Sequence, residues 1–186
     1  MISIVDELRN IIADEFISNE DKGISILLQE SQISDCHPFR LLKGNTRTLT
    51  LKIDDGEIDI HPLLKKGVKK LKKAPDYIIF SENRSGCFCL VIELKSKNKD
   101  DWHRQVKAGL STAKYLVGML ENYSKKDLSS INYRCLLFHT KNLLPKIRKK
   151  KTTKQKAFQY EVHPIYKYQF TDQPCGADQP LPFFMR

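Results

Sequence analysis

Three charged residues interrupt the most apolar part of the chain. Asp76 stands near the start of a β-prone run, residues 75–80 (PDYIIF), and Glu93 and Lys95 stand at the end of another, residues 87–95 (CFCLVIELK). Between the runs, Asn83-Arg84-Ser85-Gly86 reads as a hairpin turn. With a loop of two or four residues centred between Arg84 and Ser85, Asp76 lies opposite Glu93. Side chains alternate along a strand, so Glu93 and Lys95 share a face and Leu94 points to the other. A slip of one residue would undo the pairing, so the arrangement depends on an even-numbered loop.

These residue types suit one kind of chemistry. Two adjacent carboxylates repel and raise one another's pKa unless a cation sits between them. A hard divalent ion such as Mg²⁺ takes oxygen ligands, keeps several waters and acidifies one of them. A lysine on the same face can position or deprotonate an attacking water, or offset negative charge in the transition state. Such a set fits phosphodiester hydrolysis. The plainer alternative is a cross-strand ion pair at a sheet end, which contributes little to stability.

The elements around this hairpin must bring the charges together. Residues 2–18 read as an amphipathic helix capped by Ser3, with Ile4, Val5, Leu8, Ile11, Ile12 and Phe16 in one stripe. Glu15 projects into that stripe, either as a third active-site carboxylate or as part of a frayed last turn that reaches water. Residues 24–33 suggest a strand. Residues 46–60 suggest a second hairpin turning at Asp55-Gly56. Its acids, Glu57 and Asp59, alternate with Ile58 and Ile60 and are expected in solvent. Pro62 suits the first turn of a helix reaching Lys73, whose lysine face leads into Pro75-Asp76.

The longest helix is expected over residues 101–122, with Val106, Gly109, Leu110, Ala113, Leu116, Val117 and Leu120 turned to the sheet. His103, Gln105 and Lys107 occupy its first turns, nearest the end of the 87–95 strand. Residues 131–140 form a further buried strand, so strand–helix–strand order predicts a parallel crossover. Residues 157–170 suit an edge strand interrupted at Pro164. Residues 1–170 therefore form one domain. The tail, 171–186, ends in LPFFMR, which packs back on the core or serves self-association or a protein partner.

The pattern Pro75-Asp76 followed, after sixteen residues, by Glu93-Leu94-Lys95 resembles the PD-(D/E)xK nuclease superfamily. The order of elements over about residues 1–140 is similar too. The resemblance implies an α/β, restriction-endonuclease-like fold, a mixed sheet flanked by helices. It implies Asp76 and Glu93 as metal ligands with the Leu94 carbonyl, and Lys95 as the catalytic lysine. The first-helix acid of the superfamily would be Glu15, and a helix glutamine would be Gln105. The implied activity is Mg²⁺-dependent nuclease action on DNA, with Mn²⁺ as a substitute ion, as in a defence or restriction system. The rival reading is a non-catalytic nucleic-acid-binding or interaction subunit that keeps the fold.

Composition supports a polyanionic partner. The net charge is +10, yet residues 65–73 hold six lysines and residues 146–156 hold seven lysines and arginines, with no acid in either. The remaining 19 basic and 22 acidic residues nearly balance, so the basicity is local. Lys65, Lys66, Lys69, Lys70 and Lys73, with Arg148, Lys149, Lys150 and Lys151, are the expected phosphate contacts, with DNA favoured over RNA. Solvated lysine faces are the alternative.

The five cysteines are expected as reduced thiols, and no paired CxxC spacing suggests zinc. No signal peptide or membrane span is expected, which points to a cytoplasmic protein. His37, His61, His139 and His163 share no spacing, and His103 suits an exposed helix start or a phosphate contact. A nucleophile elbow and a glycine-rich phosphate loop are both missing from the sequence.

Overall fold

The computed structural model describes residues 3–19, 21–29, 38–54, 73–95, 102–139, 159–162, 167–171 and 178–185. The hairpin of β5 (Tyr77–Asn83) and β6 (Gly86–Lys95) lies at its centre. Their apolar residues run on without alternation because both faces of both strands are covered. The pairing begins at Asn83 opposite Gly86 and runs to Tyr77 opposite Ile92, so the loop is the two residues Arg84 and Ser85. Ser85 N–H donates to Asn83 Oδ1 at 2.7 Å. Gly86 takes a φ of +131°, which a side chain would strain. The even loop fixes the register on which the Asp76–Glu93 juxtaposition depends.

β4 (Arg47–Lys52) pairs antiparallel with β5 on one side. On the other side, β6 runs parallel to β7 (Asn132–His139), and the crossover between them is α2 (Trp102–Ser124), as expected. β9 (Lys167–Thr171) joins β7 in parallel, and β8 (Gln159–Val162) closes the edge antiparallel to β9. The sheet is thus six-stranded and mixed, in the order β4-β5-β6-β7-β9-β8.

One face of this sheet carries the helices. Ile78, Phe80, Cys89 and Val91 pack there against Val5 and Leu8 of α1 (Ile4–Ile11) and Val106, Ala113, Val117 and Leu120 of α2. Among the described residues, the opposite face carries a second mixed sheet. Its strands are β1 (Asp21–Lys22), β2 (Ser25–Leu28), β3 (Phe39–Leu42) and β10 (Asp178–Pro180), in that order. Alternate residues of β2 and β3, namely Ile26, Leu28, Phe39 and Leu41, turn inward onto Tyr77, Ile79, Leu90, Ile92 and Leu94. The architecture is therefore mixed α/β, with helices, large sheet and small sheet in layers.

Polar contacts fasten these layers. Asp21 accepts from Lys43 Nζ at 2.7 Å and from the hydroxyls of Thr48 (2.9 Å) and Thr50 (3.0 Å), so the small sheet is tied to β4. The charge of Asp21 is compensated, which makes its burial tolerable. The hydroxyl of fully buried Tyr77 donates to Gln29 O at 2.8 Å and accepts from Gln29 N–H at 3.1 Å.

Two expectations change at the N-terminus. Ser3 stands at the N-cap position, but its hydroxyl donates to Glu82 Oε2 at 2.5 Å instead of capping. The helix ends at Ile11 instead of reaching residue 18, and a short 3₁₀ turn, Asp14–Phe16, follows. Ile17 then bridges Leu51, and Ser18 N–H donates to Thr50 O at 2.8 Å. Sheet pairing at the β4 edge takes these backbone groups, so the helical stripe stops before Glu15.

The C-terminal tail packs back. β10 runs parallel to β3, and Leu181, Phe184 and Met185 are buried in the core between the sheets. Phe184 meets Phe138 edge-on at 5.6 Å. Cys87, Cys89 and Cys135 are free thiols in the opposite core; burial pushes Cys87 and Cys135 up to about 12 and holds Cys89 well above the ordinary thiol value. They remain protonated packing groups. Among the described residues, no helix is long and apolar enough to cross a membrane.

Candidate active site

The site forms where β5 begins and β6 ends. Asp76 precedes β5 by one residue, opposite Glu93 in the hairpin register. Its carboxylate takes the place of a ladder carbonyl, because Leu94 N–H donates to Asp76 Oδ2 at 2.6 Å. From the neighbouring strand, Ile53 N–H donates to Asp76 O at 2.9 Å. Asp76 is thereby held from both sides.

Glu93 lies on the helix-facing side of β6, at 0% exposure. Lys95, two residues on, shares that face, and its Nζ is in ion-pair contact with Glu93 Oε1. Beyond that ammonium, the carboxylate oxygens of Glu93 meet no hydrogen-bond donor among the described residues. Burial is the main reason its carboxyl is pushed up to about 8, and the nearby charges of Asp76 and then Asp54 push in the same direction. Lys95 opposes the rise without cancelling it.

The first turns of α2 complete the set. Lys95 Nζ donates to Gln105 Oε1 at 3.0 Å, and Gln105 Nε2 donates to Ala74 O at 3.2 Å. Buried Gln105 therefore spans from the residues before Asp76 to the lysine after Glu93. One turn later, Gly109 lets α2 sit close. A β-carbon there would lie 2.4 Å from Pro75 Cγ and 2.6 Å from Val91 Cγ1. The helix packs directly on the proline that precedes Asp76 and on the strand that carries Glu93.

The structure thus brings together Asp76, Glu93, Leu94, Lys95 and Gln105. It places Glu15 elsewhere than on a core-facing stripe. Glu15 is exposed in the 3₁₀ turn and makes no hydrogen bond or ion pair among the described residues. The Ile17–Leu51 bridge sets that turn beside the end of β4 that leads to Asp54. Lys73 stands in non-helical, half-buried backbone, so the expected helix does not extend to it. Lys65, Lys66, Lys69, Lys70, Arg148, Lys149, Lys150 and Lys151 lie outside the described residues, as do the Asp55-Gly56 turn, Glu57, Asp59, His37, His61 and His163. His103 is exposed at the helix start, its ring 3.7 Å from that of Trp102.

Sequence reasoning missed Asp54 and the part played by Gly109. Asp54 follows the strand whose end bonds Asp76, a neighbour relation visible only after strand pairing is known. Gly109 carried a signal, because a glycine inside a helix often marks close approach.

The donor set suits a hard divalent cation. A fully buried carboxylate beside a second acid is costly to ionise, and a cation relieves both its desolvation and its repulsion from Asp76. Two carboxylates are the number Mg²⁺ commonly takes from a protein, with waters filling the remaining positions. Among the described residues, no group of three or more His, Cys, Asp or Glu is arranged to hold a metal alone. Comparison with family models, curated proteins and solved structures finds no match to this chain.

Proposed function

We propose that this chain is a Mg²⁺-dependent nuclease that hydrolyses DNA phosphodiesters, with a restriction-endonuclease-like arrangement resembling the PD-(D/E)xK superfamily. The observation that carries the reading is Glu93, a fully buried carboxylate that faces a second acid, Asp76, and has the Lys95 ammonium in contact with it. A purely structural ion pair would gain nothing from keeping a second acid there, since the extra charge raises the cost of ionising Glu93.

In this reading Asp76 and Glu93 hold the metal with the Leu94 carbonyl, and Mn²⁺ is an acceptable substitute. The bound ion would supply an acidified water and charge neutralisation at the phosphate. Asp76 keeps its orientation through the Leu94 N–H, which fixes one oxygen. Lys95 donates toward the reacting phosphate or its attacking water, and Gln105 sets the position of its Nζ. The basic runs, with Lys73, bind phosphates without reading sequence. Glu15, near the β4 end, remains the candidate for an acid contributed from the N-terminal segment.

Nicking of supercoiled plasmid tests this. Cleavage is expected with Mg²⁺ or Mn²⁺, and none with EDTA. Glu93→Ala and Asp76→Ala should each lower the rate at least about a hundredfold, the scale of losing a charge-stabilising group. Cleavage that ignores EDTA, or that survives Glu93→Ala, overturns the site. Salt-sensitive DNA binding by a wild type that never cleaves would favour the non-catalytic subunit.

A further inference from the structure

The β4 side of the site carries an acid to which the proposed chemistry gives no part. Leu49, Leu51 and Ile53 turn into the helix-side core, whereas Asp54, just past the end of β4, is exposed. Ile53 N–H donates to Asp76 O at 2.9 Å, and Asp54 is the next residue. Paired residues of neighbouring strands lie about 5.5 Å apart and consecutive residues about 3.8 Å, so the Cα atoms of Asp54 and Asp76 are within about 9 Å. The charge of Asp54 also reaches Glu93, where it adds to that of Asp76 against ionisation.

Glu93 supplies a second, independent observation. Lys95 contacts its Oε1, but Oε2 is buried and meets no donor among the described residues. Stability alone gives no reason to set a further acid near it.

We infer that Asp54 is the outer acid of the metal site, accepting hydrogen bonds from waters on a divalent ion that Asp76 and Glu93 ligate. The inference rests on the metal site of the nuclease reading and adds a residue to it. Among the described residues, no three acids are placed to ligate one ion directly, so Asp54 acts through water. Mg²⁺ suits this division, because it keeps several waters whose hydrogens need acceptors. Glu93 is on the buried side of the site and Asp54 on the solvent side, where those waters enter. Outer acceptors of this kind orient the bound groups and strengthen the hold on the ion. The plainer role is a solvated acid that acts only through its long-range field. Asp14, exposed in the 3₁₀ turn, would then do the same.

Titration with Mn²⁺, followed by the electron paramagnetic resonance of the free ion, tests this without DNA or turnover. The wild type should bind Mn²⁺, and Glu93→Ala should lose that site. Asp54→Asn should weaken binding at least about tenfold, the scale of losing an outer partner. Asp14→Asn should stay within twofold of the wild type. In EDTA, Asp54→Asn should melt no lower than the wild type, because the change is exposed and relieves Glu93. A lower melt would make Asp54 a structural residue and overturn the inference. It is also overturned if Asp54→Asn binds within twofold of the wild type, or if Asp14→Asn weakens binding as much. Mn²⁺ binding that is absent from the wild type, or that survives Glu93→Ala, overturns it too. The nuclease reading is scored separately by plasmid nicking. Mg²⁺-dependent nicking with Asp54-independent Mn²⁺ binding removes the outer acid alone. Asp54-dependent Mn²⁺ binding without any nicking keeps the outer acid and removes the nuclease.

Discussion

Glu93 is an acid placed where its charged form is disfavoured, and that has a measurable sign. Its carboxyl titrates near 4.5 when unfolded and is raised to about 8 in the fold, chiefly by burial. Between those values the native state binds the extra proton, so folding stability contributed by Glu93 is present below the unfolded value and is lost as pH rises through the window. The loss is on the order of 5 kcal/mol. Glu93→Gln removes it. In EDTA, the urea midpoint of the variant should exceed that of the wild type by a margin that grows from pH 5 to pH 8. If Glu93 is a metal ligand as proposed, saturating Mg²⁺ should favour its ionised form and shrink that margin. A margin independent of pH would mean that Glu93 titrates normally.

At the scale of elements, the site depends on how closely α2 seats against Pro75 and β6. Gly109→Ala forces a methyl into space already held by Pro75 and Val91, so it should cost about 1–3 kcal/mol. On the proposed nuclease reading it should also reduce plasmid nicking, because moving α2 moves Gln105 away from Lys95. Gly118→Ala is the control, on the same helix with nothing within 4 Å. There the change should stabilise by about 0.5–1 kcal/mol, the ordinary gain for glycine in a helix. Chemical denaturation of both variants gives the comparison. Equal destabilisation by the two would show that close approach is not what Gly109 provides.

The whole molecule is held by two cores on opposite faces of one sheet, and the last residues of the described chain close the second. Phe184→Ala should cost about 3–5 kcal/mol in urea denaturation, as for other large buried aromatics. If those side chains serve mainly to cover the sheet, the variant should also self-associate more than the wild type in light scattering, because it uncovers apolar surface. A variant as stable as the wild type would assign LPFFMR to a role outside the core.

The sequence determined by itself what is local: the Asn83–Gly86 turn, the two-residue loop parity it permits, the alternation that puts Glu93 and Lys95 on one face, and the helix after them. Turn chemistry and strand periodicity are short-range properties, so the Asp76–Glu93–Lys95 set was legible before any coordinates. The end of α1 was not, because Ile17 and Ser18 leave the helix to pair with β4, a partner some thirty residues away. That pairing, and not local propensity, carried Glu15 out of the expected stripe. Nor could the sequence reveal that β2, β3 and β10 form a second sheet, since strands separated by well over a hundred residues pair by tertiary packing alone. The burial of Glu93, the Gln105 bridge to Lys95 and the neighbouring charge of Asp54 were decided in the same way. Each depends on which surfaces meet, and those meetings exclude the water that would otherwise leave Glu93 an ordinary acid.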